Sequence, residues 1–278
     1  MIDIKKHILL SIEEDIREED HSGAACIPER AVSRAKLLVK DTGIISGIDI
    51  AKSVFNIIDP NLTFNQSISD GTEVKFGDIA FTVEGSARNI LKAERLALNY
   101  MQRMSGIAST TKIYVEAIKG TNTKILDTRK TSPGLRSFEK QAVIHGGGQN
   151  HRYGLYDMIM IKDNHIDFAG GIDEAMNATS NYLATNKLNL KVEVEARDLS
   201  EVETILTNGK ADRIMFDNFN YEDTRTGVAL VGDKMETESS GGITLETIRG
   251  YAECGVDYIS VGALTHQIKS LDLSLKAF

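Results

Sequence analysis

Along the first residues the apolar positions Ile4, Leu9, Ile12 and Ile16 approximate one stripe, which predicts a helix over 2–16. The acidic "REED" and a loop carrying Pro28 follow, and the acids crowded into residues 13–20 read as a solvated face. Next come a short strand over 35–39, a turn at "KDTG" and a helix over 49–58. "NQSISDGTEVKFGDIAFTVEG" then alternates, broken at Asp70-Gly71 and Gly77-Asp78, a hairpin signal. Ser86 caps a helix through "ARNILKAERLALNYMQRM", in which Ile90, Leu91, Leu96, Ala97, Tyr100 and Met104 supply a broad apolar face. Arg88, Lys92, Arg95 and Arg103 lie on another side, which by itself reads as solvated helix surface.

After Gly120 the rhythm changes. The β-rich runs "KILDT", "MIMIKD", "KVEVEA", "RIMFDN", "KMETESS" and "YISVGA" recur with helix-length segments between them, a βα repeat. Each begins apolar and ends in functional groups: Asp127, Arg129 and Lys130; Lys162, Asp163 and His165; Glu193 and Glu195; Asp217 and Asn218; Glu238, Ser239 and Ser240; Ser260 and Gly262. A parallel barrel gathers the C-terminal ends of its strands at one mouth. A doubly wound sheet would instead place the ligand at one switch point, usually beside a Gly-rich first turn. Polar groups at every strand end favour the barrel, and six strands rather than eight make it irregular and incomplete. The first part of the chain reads as α+β.

Composition narrows the partners. The chain has 278 residues and a net charge of −8, which argues against nucleic acid. Yet "DTRKTSPGLRSFEKQAVIHGGGQNHR", residues 127–152, is rich in Lys, Arg and His, so a small, strongly anionic ligand is expected. Cys26 and Cys254 form no metal-binding or disulfide pattern, and neither a signal peptide nor a membrane span is suggested; a soluble cytoplasmic protein is the expectation.

Collected at the mouth would be Arg129, Lys130, His151, Arg152 and Lys162, facing Glu195 and Asp217. Arginine grips carboxylates or phosphates in two-point fashion and lysine acts as a point charge. Carboxylates beside a polyphosphate suggest Mg²⁺. Gly241, Gly242 and Gly262 can bring backbone N–H groups to a phosphate, although Gly pairs after strands are also ordinary turns. Glu193 and Glu195 share one strand face, so one of them can orient a lysine. Asp163 can merely cap a helix, and His165 can satisfy a polar group; His145 and His266 remain unassigned. Five cations at one mouth repel one another unless an anion completes them.

"DTRKTSPGLR", "HGGGQNHRYGLYD" and "IKDNHI", followed by "VEVEA", "DN", "ESSGGI" and "GVDYISVGALTH", resemble the signature runs of the quinolinate phosphoribosyltransferases, in the family's order and over nearly the whole chain. The resemblance implies an N-terminal α/β sandwich, here 1–110 and including a dimer-contact helix, and an irregular α/β barrel of the type II phosphoribosyltransferase kind, here 111–278. The last ~12 residues would return to the first domain. It implies a homodimer or a hexamer of three dimers, with Arg95 entering the neighbouring subunit's site. Arg95, Arg129, His151, Arg152 and Lys162 would bind the two carboxylates of quinolinate. Lys130, Glu195 and Asp217, with Mg²⁺, would hold phosphoribosyl pyrophosphate, and Ser240, Gly241 and Gly262 would lie near its 5′-phosphate. Lys130, Lys162, Glu195 and Asp217 are the catalytic candidates, with Glu195 and Asp217 the Mg²⁺ candidates. The implied reaction yields nicotinate mononucleotide, pyrophosphate and CO₂, in de novo NAD synthesis.

Where many relatives carry an "ED-x-G-x-G-D-x-T" run this chain has "EEDHSGAAC", which leaves the packing of residues 19–26 open. Rival readings are a nicotinate phosphoribosyltransferase, a paralogue with another, molybdenum-linked role, a barrel lyase using Lys130 or Lys162 as a Schiff-base amine, and an anion-binding barrel without turnover.

Overall fold

The structure, a computed structural model, describes residues 3–278. Two compact units divide the chain: 1–113, 131–147 and 264–278 form one, and 114–130 with 148–263 form the other. The crossing of segments departs from a single division after residue 110. The middle of the basic stretch, with Arg136 and Lys140, belongs to the first unit, whereas Arg129, Lys130, His151 and Arg152 belong to the second.

In the first unit, α1 (Ile4–Ile16) and α2 (His21–Cys26) precede β1 (Val32–Val39), β2 (Gly43–Ile44), α3 (Ile48–Ile58), β3 (Thr63–Gln66), β4 (Glu73–Val74) and β5 (Ile79–Ser86). The expected helix start at Ile2 lies outside the described residues. The segment 21–26, expected as loop, is helical because the Asp20 carboxylate accepts the N–H groups of Ser22 and Gly23 and so caps it. The expected local hairpin is a different pairing. Turns do fall at Gly71 and Gly77, but β4 pairs with β2, while β3 and β5 pair antiparallel across the excursion (Thr63↔Glu84, Gln66↔Phe81). The larger sheet is ordered β12-β1-β5-β3, its edge supplied by the chain's last strand, β12 (Leu273–Ala277). Phe81 packs against Phe55 and Phe64 in the core, with ring centroids 5.9 and 4.4 Å away.

Helix α4 (Ala87–Ala117) is far longer than the expected run, because apolar residues Ile107, Ala108 and Tyr114 continue its buried face. Ser86 Oγ accepts the Asn89 N–H at 3.4 Å. Gly47, with φ 96°, opens α3 and would set a Cβ 3.0 Å from Met104 Sδ, so glycine permits both the left-handed backbone and the close approach to α4. The basic stripe of α4 is not simply solvated. Arg88 donates to the carbonyls of Ile27 and Ala24, Lys92 pairs with Glu19 at 2.6 Å, and Arg103 pairs with the buried Glu139 at 2.6 Å. Arg95 alone of the four is exposed, with no hydrogen bond or ion pair among the described residues. Helix α5 (Arg136–His145) also lies in this unit.

The second unit is a six-stranded parallel sheet. After β6 (Lys124–Leu126) it runs through β7 (Ile159–Ile161), α6 (Asp163–Ala169), α7 (Ile172–Asn186), β8 (Val192–Ala196), α8 (Leu199–Asn208), β9 (Arg213–Asp217) and α9 (Tyr221–Val231). Then follow β10 (Glu236–Ser240), α10 (Ile248–Ala252), β11 (Tyr258–Ser260) and the short α11 (Ala263–His266), which crosses back into the first unit. The strand order is β6-β11-β10-β9-β8-β7, and all six expected strands are present. No ladder joins β6 to β7 among the described residues, so the barrel is incomplete. All five residues of β8 are buried, although they read "VEVEA": the valines take one face and the glutamates the other. No helix among the described residues is long and apolar enough to cross a membrane.

Candidate active site

Because the six strands are parallel, their C-terminal ends share one side of the sheet. Asp127, Arg129 and Lys130 follow β6; Lys162 follows β7; Glu195 lies near the end of β8; Asp217 and Ser240 close β9 and β10; Gly262 follows β11. His151 and Arg152 sit just beyond Gln149, which forms a parallel bridge with Leu126 of β6. The second unit therefore brings together every site residue expected from the sequence except Arg95, which is on α4 in the first unit.

Three links tie neighbouring strand ends together. Lys162 Nζ pairs with Glu195 Oε1, joining the ends of β7 and β8. The Asn218 N–H donates to the Ser240 carbonyl at 2.9 Å, and Ser260 Oγ donates to Ser240 Oγ at 3.0 Å. Asn218 also donates through Nδ2 to Asp217 Oδ2 at 2.9 Å. Of the two glutamates on β8, it is Glu195 that orients a lysine. Neither lysine lies in the apolar pocket that a Schiff-base amine occupies: Lys130 is exposed and Lys162 is ion-paired with Glu195. His165 is exposed, and its Nδ1 accepts the Lys162 N–H at 3.0 Å, so it closes the start of α6. His145 hydrogen-bonds Ser46 Oγ at 2.7 Å in the first unit, and His266 is exposed at the end of α11.

Below the strand ends lies a charged interior that the sequence reading did not assemble. Period two places Glu193 and Glu195, Arg213, Met215 and Asp217, and Glu236, Glu238 and Ser240 on one face. Register aligns Arg213 with both Glu193 and Glu236. Arg213 donates to Glu238 at 2.9 Å and Glu236 at 3.0 Å, and its guanidinium lies 4.1 Å from the Tyr258 ring centroid. His151 Nε2 stands 2.9 Å from Glu193 Oε2 and 3.4 Å from Glu238 Oε2. Parity along "VEVEA", "RIMFD" and "ETESS" was the signal that could have found this group.

Burial works to lower the His151 pKa, but Glu193 and Glu238 more than reverse it and bring it to about 9. Burial, with the Glu238 charge, pushes Glu193 up to about 7. His151 Nδ1 accepts the Arg152 N–H at 2.6 Å, a role only an unprotonated nitrogen fills. The geometry therefore keeps the ring proton on Nε2 and puts the further proton that the pair attracts on Glu193. Nearby, burial and then the Arg129 charge lower the pKa of Arg152, a repulsion that a bound anion would relieve.

Two sets of groups can be tested against a metal ion. His151, Glu193 and Glu238 form a compact buried set, but the Arg213 guanidinium already occupies the cation's place beside Glu238, so the set does not suit a divalent ion. Glu195 and Asp217 lie on neighbouring strands and offer hard carboxylate oxygens without forming a three-ligand cage. That donor set fits Mg²⁺, which is commonly held by one or two carboxylates together with substrate phosphates.

Two family models cover the chain: "Quinolinate phosphoribosyl transferase, N-terminal domain" over residues 20–105 and the corresponding C-terminal domain over 107–276. A tobacco protein named quinolinate phosphoribosyltransferase [decarboxylating] 1b is 45% identical over 99% of this chain and 82% of its own length. A Bacillus subtilis protein named probable nicotinate-nucleotide pyrophosphorylase [carboxylating] is 41% identical, over 94% of this chain and 89% of its own. Among solved structures, that of NadC from Streptococcus pyogenes is 38% identical and superposes with a TM-score of 0.93, covering 98% of this chain and 95% of that one.

Proposed function

From the premise that this chain belongs to the quinolinate phosphoribosyltransferase family, we propose that it converts quinolinate and 5-phosphoribosyl 1-pyrophosphate to nicotinate mononucleotide, pyrophosphate and CO₂. The observation that carries the reading is the gathering of Arg129, Lys130, Arg152 and Lys162 with Glu195 and Asp217 at one end of a parallel sheet, in a chain of net charge −8. Quinolinate is a dianion and its co-substrate carries a phosphate and a diphosphate, so this local excess of cations matches the charge to be bound.

Arg129, Arg152 and Lys162 hold the two carboxylates and leave the ring nitrogen lone pair free to attack the ribose C1; His151, expected from the resemblance to touch a carboxylate, instead turns both ring nitrogens to protein groups. Lys130 offsets charge on the departing diphosphate, while Glu195 and Asp217 favour the cationic sugar of the transition state. Mg²⁺, when bound through the diphosphate with Glu195 and Asp217, would supply further neutralisation of the leaving group. Ser240, Gly241 and Gly262 receive the 5′-phosphate. No covalent nucleophile is required. Once alkylated, the ring nitrogen is cationic and accommodates the electron pair left at C2 as CO₂ departs; a proton then replaces the carboxylate.

Arg95 completes the site from a neighbouring subunit, a reading supported by its exposure and by the absence of a hydrogen-bond or ion-pair partner among the described residues, so the working form is a homodimer or a hexamer of three dimers. Two free cysteines, Cys26 exposed and Cys254 buried, suit a reduced cytoplasmic compartment.

The test is turnover with quinolinate, phosphoribosyl pyrophosphate and Mg²⁺, following nicotinate mononucleotide and CO₂, with nicotinate as the parallel substrate. Product from quinolinate alone is expected. Product from nicotinate instead would overturn the second carboxylate, and none from either would move the weight to the paralogue or the binding protein.

A further inference from the structure

The dipeptide His151-Arg152 lies in a stretch, 150–158, with no helix or strand, so no ladder of backbone bonds fixes its course. Side chains do so instead. The His151 N–H donates to Asp127 Oδ1 at 2.9 Å, and the Arg152 N–H donates to His151 Nδ1 at 2.6 Å. Downstream, the Asp157 carboxylate accepts the N–H groups of Tyr153 and Gly154 at 2.6 and 2.8 Å. The backbone that launches Arg152 is thus pinned through an imidazole, whose orientation must come from its other edge. At that edge stand Glu193 Oε2, at 2.9 Å, and Glu238 Oε2, at 3.4 Å, both on fully buried residues. Glu238 is in turn held by Arg213 at 2.9 Å, on the central strand β9.

We propose that Glu193 and Glu238 are positioning residues that aim Arg152: they orient the His151 ring so that Nδ1 grips the Arg152 backbone and the guanidinium meets its carboxylate. The inference deepens the proposed function and rests on Arg152 reading a substrate carboxylate. The chain of contacts is continuous from the sheet interior, Arg213 to Glu238 to His151 to the Arg152 N–H, and passes through no mobile solvent-exposed side chain. It also gives these buried acids a task that neither packing nor a metal ion accounts for. A ring freed from the two carboxylates can rotate about its side-chain bonds, and the Arg152 N–H then loses its acceptor. Displacement of a charge-pairing group by about 1 Å suffices to cost up to about 100-fold in a positioned reaction.

The experiment uses the full-length protein with Glu238→Gln and Glu193→Gln, each nearly isosteric. KM for quinolinate is expected to rise roughly 10- to 100-fold, while KM for phosphoribosyl pyrophosphate stays within about twofold. A loss of general structure would move both. His151→Asn supplies the second arm, since the Asn carbonyl can accept the Arg152 N–H without reaching the glutamates; on that background Glu238→Gln should add no further change. If Glu238→Gln fails to fold, Glu193→Gln carries the test, because it leaves the Arg213–Glu238 pair intact. Unchanged quinolinate KM, equal rises for both substrates, or an undiminished Glu238→Gln effect in the His151→Asn protein would each overturn the positioning role. A wild-type protein that neither binds quinolinate by calorimetry nor turns it over would overturn the functional reading beneath it, which the variants alone would not.

Discussion

Asn218 holds a left-handed backbone, φ 57°, at the end of β9, and its amide reaches back to Asp217. Across from it Gly241, φ 94°, leaves no room for a side chain: a Cβ there would overlap Asn218 Oδ1 and lie 2.9 Å from the Asn218 nitrogen. Gly241→Ala is expected to cost about 1–2 kcal/mol for the left-handed conformation alone, read as a lower urea midpoint. It should also raise KM for phosphoribosyl pyrophosphate more than KM for quinolinate, because it displaces Asn218 and with it Asp217; an unchanged pair of constants would separate this glycine from the donor site. Arg152 belongs to the same scale. Its replacement by Ala should weaken quinolinate binding by ~2–5 kcal/mol, as for removing one partner of a desolvated charge pair. Unaltered affinity by calorimetry would take Arg152 out of the site.

At the scale of elements, β8, β9 and β10 turn a charged face into the sheet interior, where packed apolar layers are the usual filling. That face is stable only while its charges are paired. Arg213→Met strands the buried Glu238 and is expected to cost about 3–5 kcal/mol, measured as the free energy of urea unfolding; a neutral result would mean that Glu238 is hydrated or protonated instead. Acidity bears on the same strands. The buried His151–Glu193 pair binds a proton more tightly when folded, and it resides on Glu193, raised from 4.5 to about 7. Its stabilisation is therefore complete below about pH 4.5 and is lost as pH climbs through about 7. Glu236 and Glu238 act in the opposite sense, because their lowered pKa values withdraw stability only as pH falls into the acid range. Urea midpoints should fall between about pH 5 and pH 8, and Glu193→Gln should flatten the slope; a rise would contradict the pairing.

For the whole molecule, an excess of acids over the surface and a concentration of cations at one sheet end set up a field that draws small anions while discouraging polyanions. In the proposed assembly, Arg95 would extend that scheme beyond one chain. If sites are shared between subunits, Arg95→Ala and Arg129→Ala proteins, each inactive, should regain activity when mixed, since some mixed dimers carry one site with both arginines. Absence of recovery after subunit exchange has been demonstrated by mass spectrometry would contradict a shared site.

The sequence by itself determined the six strand runs of the second unit, the first part of the long helix and the residues at the strand ends, because apolar periodicity and local capping act over a few neighbouring positions. It also carried the family resemblance, through ordered runs such as "DTRKTSPGLR" and "ESSGGI". Tertiary structure alone decided that β4 pairs with β2, that residues 131–147 leave the basic stretch for another unit, and that β12 closes the first sheet. It alone set His151 between Glu193 and Glu238 and the Arg152 N–H on its other edge. Apart from the adjacent His151 and Arg152, those partners are dozens of residues apart, and which of them meet depends on strand order and register, quantities that hydrogen bonding between distant segments settles and local pattern does not encode.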